Sequence, residues 1–189
     1  IALNSPPLVF RNMVITGSVN GEGAPSPGAY GDVRAWDAYT GKLLWSFHTV
    51  PRPGEPGHET WPAEGWKNRS GTNAWGFLTV DEKRGIVYVP LGSPTTDFYG
   101  ADRHGDNLYG NSLVALDAST GKLKWYRQLV RHDLWDFDLA APPILFDAAI
   151  RGRKVPAVAQ ITKMGLLFVF NRLTGEPLYG MEDRPVPQS

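Results

Sequence analysis

Ala35-Trp36-Asp37-Ala38-Tyr39-Thr40-Gly41-Lys42-Leu43-Leu44-Trp45 returns eighty residues later as Ala115-Leu116-Asp117-Ala118-Ser119-Thr120-Gly121-Lys122-Leu123-Lys124-Trp125. The copies share Ala, Asp, Ala, Thr-Gly-Lys-Leu and Trp in register. A weaker third copy is Val169-Phe170-Asn171-Arg172-Leu173-Thr174-Gly175-Glu176-Pro177-Leu178. Each has an apolar strand, then an Asp or Asn able to bond the turn backbone, then a Gly for positive φ and a return strand. The stretch reads as a hairpin used three times.

A second strand pair precedes each hairpin. Leu8-Val9-Phe10 and Met13-Val14-Ile15-Thr16 flank Arg11-Asn12. Trp75 to Val80 and Ile86 to Leu91 flank Asp81-Glu82-Lys83-Arg84-Gly85. Ile144-Leu145-Phe146 and Val155 to Ile161 flank Arg151-Gly152-Arg153. Each unit therefore supplies four short strands. Four-stranded units of this size are the mark of a β-propeller. The expected fold is all-β: a partial propeller of about three antiparallel blades, roughly 1–49, 71–128 and 139–180. A Pro/Gly-rich excursion, 50–70, stands outside the sheets. Three blades cannot close a ring, and the abrupt ends at Ile1 and Ser189 read as a piece of a longer protein. The repeat builds blades and does not by itself give a function.

Composition agrees and excludes. Twenty-one Gly and 16 Pro favour turns over long helices. Nineteen basic and 19 acidic residues cancel without a long run of either sign, which argues against a nucleic-acid footprint. Cysteine is absent, so thiolate and disulfide chemistry are excluded. No apolar run approaches the roughly 20 residues of a membrane span.

The least ordinary segment is His132-Asp133-Leu134-Trp135-Asp136-Phe137-Asp138. A solvated loop does not need its large apolar side chains, and a core strand would not choose three aspartates. It reads as a carboxylate carried into a partly buried place, where proton and metal affinity are tuned.

This segment resembles the quinoprotein dehydrogenases, eight-bladed propellers that use pyrroloquinoline quinone (PQQ), in their glucose-dehydrogenase-like branch. The Thr-Gly-Lys hairpins with their Trp share in the resemblance. So do Gly92-Ser93-Pro94-Thr95-Thr96-Asp97-Phe98-Tyr99-Gly100 and Asp106-Asn107-Leu108-Tyr109-Gly110-Asn111-Ser112-Leu113. It covers nearly the whole chain and implies a dehydrogenase oxidising an aldose or another alcohol, with a quinone or cytochrome as electron acceptor. It implies Asp136 as the general base that takes the alcohol proton, while Asp133 and Asp138 bond the loop backbone. Lys163, in Gln160-Ile161-Thr162-Lys163-Met164-Gly165, is implied to face the quinone oxygens. Trp75, in Ser70-Gly71-Thr72-Asn73-Ala74-Trp75-Gly76, is the implied floor beneath the PQQ ring. Thr72 or Asn73 is left to bond a PQQ carboxylate.

The resemblance also implies Ca²⁺ (or Mg²⁺) held by oxygen ligands, with Glu22, Thr95 and Asp136 as the candidates; Ser93 stands where many relatives have Asn. The four histidines show no metal-ligand spacing, and His132 reads as a satisfied structural residue. His48 and His58 are read as lining contacts of the excursion. Asn68-Arg69-Ser70 matches a glycosylation sequon but carries little weight. A periplasmic location is implied, with membrane association only through parts outside this chain, and the piece alone is expected to be inactive. The rival reading is a non-catalytic propeller scaffold of the outer-membrane assembly type that binds protein. That reading does not need Asp136 and Lys163 to converge.

Overall fold

A computed structural model describes residues 5–19, 30–67 and 69–186. Its strands are β1 (Leu8–Phe10), β2 (Met13–Thr16), β3 (Val33–Asp37), β4 (Leu43–Phe47), β5 (Thr79–Asp81), β6 (Ile86–Pro90), β7 (Ser112–Asp117), β8 (Leu123–Gln128), β9 (Ile144–Ile150), β10 (Arg153–Ile161) and β11 (Leu167–Asn171). They form three antiparallel meanders, β1-β2-β3-β4, β5-β6-β7-β8 and β9-β10-β11. The expected fourth strand of the third sheet is reduced to an isolated bridge between Phe170 and Pro177. The bonds that flank this bridge run from Asn171 N to Glu176 O and from Leu178 N to Val169 O, so Pro177 occupies the position whose missing N–H the pairing does not use. Residues 50–67 add no strand and carry only a short 3-10 turn, His58–Thr60. No helix among the described residues is long and apolar enough to cross a membrane.

The repeated hairpins share their chemistry. Asp37 Oδ1 accepts from Tyr39 N, Thr40 N and Thr40 Oγ1. Asp117 Oδ1 accepts from Ser119 N, Thr120 N and Thr120 Oγ1. The glycines that follow take φ of 69° and 71°, the left-handed region that a side chain enters at a cost. Both hairpins also slip register at the same place, Ala35/Trp36 and Ala115/Leu116.

Alternation then sorts the middle sheet into two faces. Val87, Val89, Val114 and Leu116 pack with Phe10, Met13, Ile15, Val33 and Ala35 of the first sheet. Ile86, Tyr88, Leu113 and Ala115 pack with Leu139, Val158 and Phe170 on the third. Tryptophans lap each joint. Trp45 donates Nε1–H to Ala118 O at 3.1 Å, and its ring lies against Gly121. Trp125 donates to Arg172 O at 3.1 Å and lies against Gly175. A side chain on either glycine would strike the indole. Tyr179 stands in register with the two tryptophans in the third copy, and it is 62% exposed.

The topology gathers the site. Trp75 precedes β5 and Gly92 follows β6, so both lie at one end of the middle sheet. Likewise 132–138 precedes β9 and Lys163 follows β10 at one end of the third.

Candidate active site

Lys163 is the centre of the site. It stands in the turn between β10 and β11, and its amide donates to Asp138 O at 3.1 Å. Its ammonium donates to Asp136 Oδ2 and to Asp138 Oδ2, each at 2.8 Å. It also lies 5.5 Å from the Trp75 ring centroid, within cation–π range. Trp75 Nε1 donates to Asp138 Oδ2 at 3.1 Å. The scaffold reading does not need Asp136 and Lys163 to converge, and here they are in contact.

The two acids differ in exposure. The Asp136 side chain is 31% exposed and that of Asp138 only 8%. Asp136 has φ 58°, a left-handed conformation uncommon for a non-glycine residue. Its carboxylate meets the Lys163 ammonium. Burial pushes the Asp136 carboxyl above its ordinary range; the Lys163 hydrogen bond works against this, and Asp138 adds to it. Burial alone would lower the Lys163 ammonium, but its bonds to Asp136 and Asp138 outweigh that and hold it above its ordinary value. Two carboxylates share one ammonium, and this crowding adds to the proton affinity that burial gives Asp136.

Asp138 exceeds the role read from sequence. It does bond the loop backbone, accepting from Ser93 N through Oδ1. Its other oxygen holds Lys163 and Trp75 together. A side chain at Gly92 would collide with that carboxylate and with Trp75 Nε1, so Gly92 makes the approach possible.

Asp133 is scaffolding, as expected. It is 1% exposed and bonded to the amides of Trp135 and Phe137, to Ser93 Oγ and to Asn111 Nδ2. His132 is satisfied through Nδ1 on Gly105 O at 2.8 Å. His48 pairs with Glu55 at 2.7 Å and His58 Nδ1 bonds Pro51 O, both within the excursion. The sequence reading passed over Arg103, which is fully buried and donates to Asn107 Oδ1, Thr96 O and Asp133 O. Burial pulls its guanidinium down to about 10.

Thr72 and Asn73 are 0% and 4% exposed, and the Thr72 hydroxyl donates to Gly71 O at 2.9 Å. Neither side chain opens to solvent. A flat, anionic group does suit the rest of the site. The half-buried indole of Trp75 offers a face, and Lys163 offers the cation.

Among the described residues, the candidate metal ligands are not brought together. Glu22 lies outside the described residues. Thr95 is fully buried, and its Oγ1 has no hydrogen-bond partner among the described residues. Asp136 is held by Lys163. No group of three or more His, Asp or Glu side chains is gathered among the described residues. The described residues by themselves do not complete a set of oxygen ligands for Ca²⁺.

Known proteins share this arrangement of sheets. All 189 residues match the family model "PQQ: Glucose/ethanol/alcohol dehydrogenase, beta-propeller domain". Quinoprotein glucose dehydrogenase A of Acinetobacter calcoaceticus is 41% identical over 189 residues, covering 98% of this chain and 23% of that protein. Quinate/shikimate dehydrogenase (quinone) of Acinetobacter baylyi is 39% identical over 188 residues, covering 97% and 23%. The structure of quinohemoprotein alcohol dehydrogenase from Comamonas testosteroni superposes with a TM-score of 0.81 at 32% identity, covering 96% of this chain and 28% of that one. This chain thus spans about a quarter of the length of the curated relatives it matches. The repeated hairpins, the lapped sheets and the match over every residue establish that the chain belongs to the β-propeller family of the PQQ-dependent glucose, ethanol and alcohol dehydrogenases.

Proposed function

We propose that this chain is the base-bearing part of a PQQ-dependent dehydrogenase that oxidises an aldose or another alcohol and passes the electrons to a quinone or cytochrome. The observation that carries the reading is the Lys163 ammonium, bonded to Asp136 and Asp138 and set over Trp75. When bound, PQQ supplies the electrophilic carbon that accepts hydride from the alcohol carbon.

Asp136 accepts the hydroxyl proton. Its carboxylate is open enough to meet a substrate, and burial raises its affinity for that proton. Lys163 holds that carboxylate at one place and keeps a positive charge beside the reacting oxygens. Asp138, less exposed, keeps Lys163 and the Trp75 indole at fixed separation. Trp75 gives a flat face for stacking, and its Nε1 bond stops the ring from turning about its own axis. A periplasmic location and membrane association through other parts of the protein belong to the same proposal.

The test uses the full-length protein reconstituted with PQQ and Ca²⁺, with dye reduction by glucose and simple alcohols as the readout. Asp136→Asn retains bound PQQ and loses about 10³-fold in kcat, within the usual 10²–10⁴-fold range for general base catalysis. Absence of turnover with every alcohol together with absence of bound PQQ overturns the reading, as does a fully active Asp136→Asn.

A further inference from the structure

Asp133 is a buried carboxylate that forms no ion pair among the described residues. Burying such a charge is costly unless hydrogen bonds replace its water. Asp133 accepts four, from Trp135 N at 2.9 Å, Phe137 N at 2.7 Å, Ser93 Oγ at 2.7 Å and Asn111 Nδ2 at 2.9 Å. The first two are the amides on either side of Asp136. The residue between them is the one with φ 58°, a conformation that costs an ordinary L-residue about 1–2 kcal/mol.

We propose that Asp133 is a positioning residue for Asp136: it clamps the amides before and after the base and so fixes the direction of the base's carboxylate. This rests on the function proposed above. Ser93 extends the clamp to the second acid, since its hydroxyl bonds Asp133 while its amide bonds Asp138. One serine thereby sets the position of the 133 end of the loop relative to the 138 end. Arg103 anchors the clamp from behind, through the Asp133 carbonyl. The loop can then hold Asp136 half in solvent without the side chain wandering, and misplacement of about 1 Å in such a group can cost 10²-fold in rate.

Asp133→Asn has the same shape. Its amide NH₂ must face at least one of the four donors, so one arm of the clamp opens. In full-length protein, Asp133→Asn lowers kcat by about 10–100-fold while KM and PQQ affinity stay within about threefold. Asp133→Ala loses both arms and falls further, so that Asn recovers part of the rate lost in Ala. A readout independent of turnover is amide hydrogen exchange in 132–138. Exchange at Trp135 or Phe137 is at least about tenfold faster in Asp133→Asn than in wild type, and it stays slow in Asp136→Asn. Should Asp133→Ala not fold, Asp133→Asn decides. Unchanged kcat and unchanged exchange in Asp133→Asn overturn the proposal. Equal damage to kcat, KM and PQQ affinity also overturns it, because that is the signature of a general structural role. A fully active Asp136→Asn refutes the proposed function instead, and the exchange measurement then still reports on the clamp.

Discussion

Gly121→Ala tests the tryptophan lap that joins the first sheet to the second. Gly121 has φ 71°, and an added Cβ would lie 2.5 Å from Trp45 Cε3 and 2.7 Å from Cδ2. The left-handed conformation costs alanine about 1–2 kcal/mol, partly offset by about 0.4–1 kcal/mol from the stiffer unfolded chain. The net of these two is about 1 kcal/mol. The indole must then move. Losing its bond to Ala118 O adds about 1 kcal/mol. Re-exposing about 60 Å² of ring adds about 1.5 kcal/mol at 25 cal/mol per Å². The expected cost is about 3.5 kcal/mol. Gly152→Ala is the control, because Gly152 has φ 75° and nothing within 4 Å of its added Cβ; it bears only the first term, about 1 kcal/mol. Urea unfolding of the full-length protein, followed by tryptophan fluorescence, measures both variants. Equal destabilisation by the two refutes the argument that the glycine is required by the indole rather than by φ alone.

Two further outcomes follow from the charge arrangement. Asp81, 7% exposed, pairs with Arg84 and Arg172 at 3.0 Å each. Asp81→Asn takes from Arg172 its nearest carboxylate but leaves it Asp147 at 3.6 Å and the Phe146 carbonyl at 3.1 Å, so it costs about 2 kcal/mol, below the full value for breaking a buried pair. Asp81→Asn combined with Arg172→Met costs less than the sum of the singles, as a double-mutant cycle in urea reads out; strict additivity would show that the pair is not coupled. At the first hairpin, hydrogen bonds from the Thr40 amide and then its hydroxyl hold the Asp37 carboxyl below its ordinary 3.8. A carboxyl depressed on folding contributes stability that is complete above its unfolded value and is lost as pH falls through the folded one. Asp37→Asn therefore flattens the acid side of the stability curve below about pH 4, and an unchanged slope there would contradict it.

Most strands were legible because each repeat states its own boundaries. The Arg11-Asn12 turn separates β1 from β2, as the apolar spacing indicated. The third sheet departed where its last strand shortens to the single bridge at Pro177, a local fact that the weaker repeat had masked. Asp136 with Lys163 was legible through the resemblance, and the two do meet. The division between Asp133 and Asp138 was not, because the two acids look alike in sequence. Their difference arises from what packs beside them: Gly92 and Trp75 for one, Ser93 and Asn111 for the other.

The laps at Gly121 and Gly175 share one direction: at each joint the earlier sheet supplies the indole and the later sheet the bare turn. Contacts of that kind are heterologous, like head-to-tail subunits, and they satisfy no surface by self-pairing. A chain of such joints closes only when the rotation per joint divides a full circle. The number of blades is then a property of angle, carried by the thickness of the two apolar layers rather than by any one side chain. Enlarging a small layer residue such as Ala35 or Ala115 would therefore act on closure of the ring as well as on the stability of one sheet.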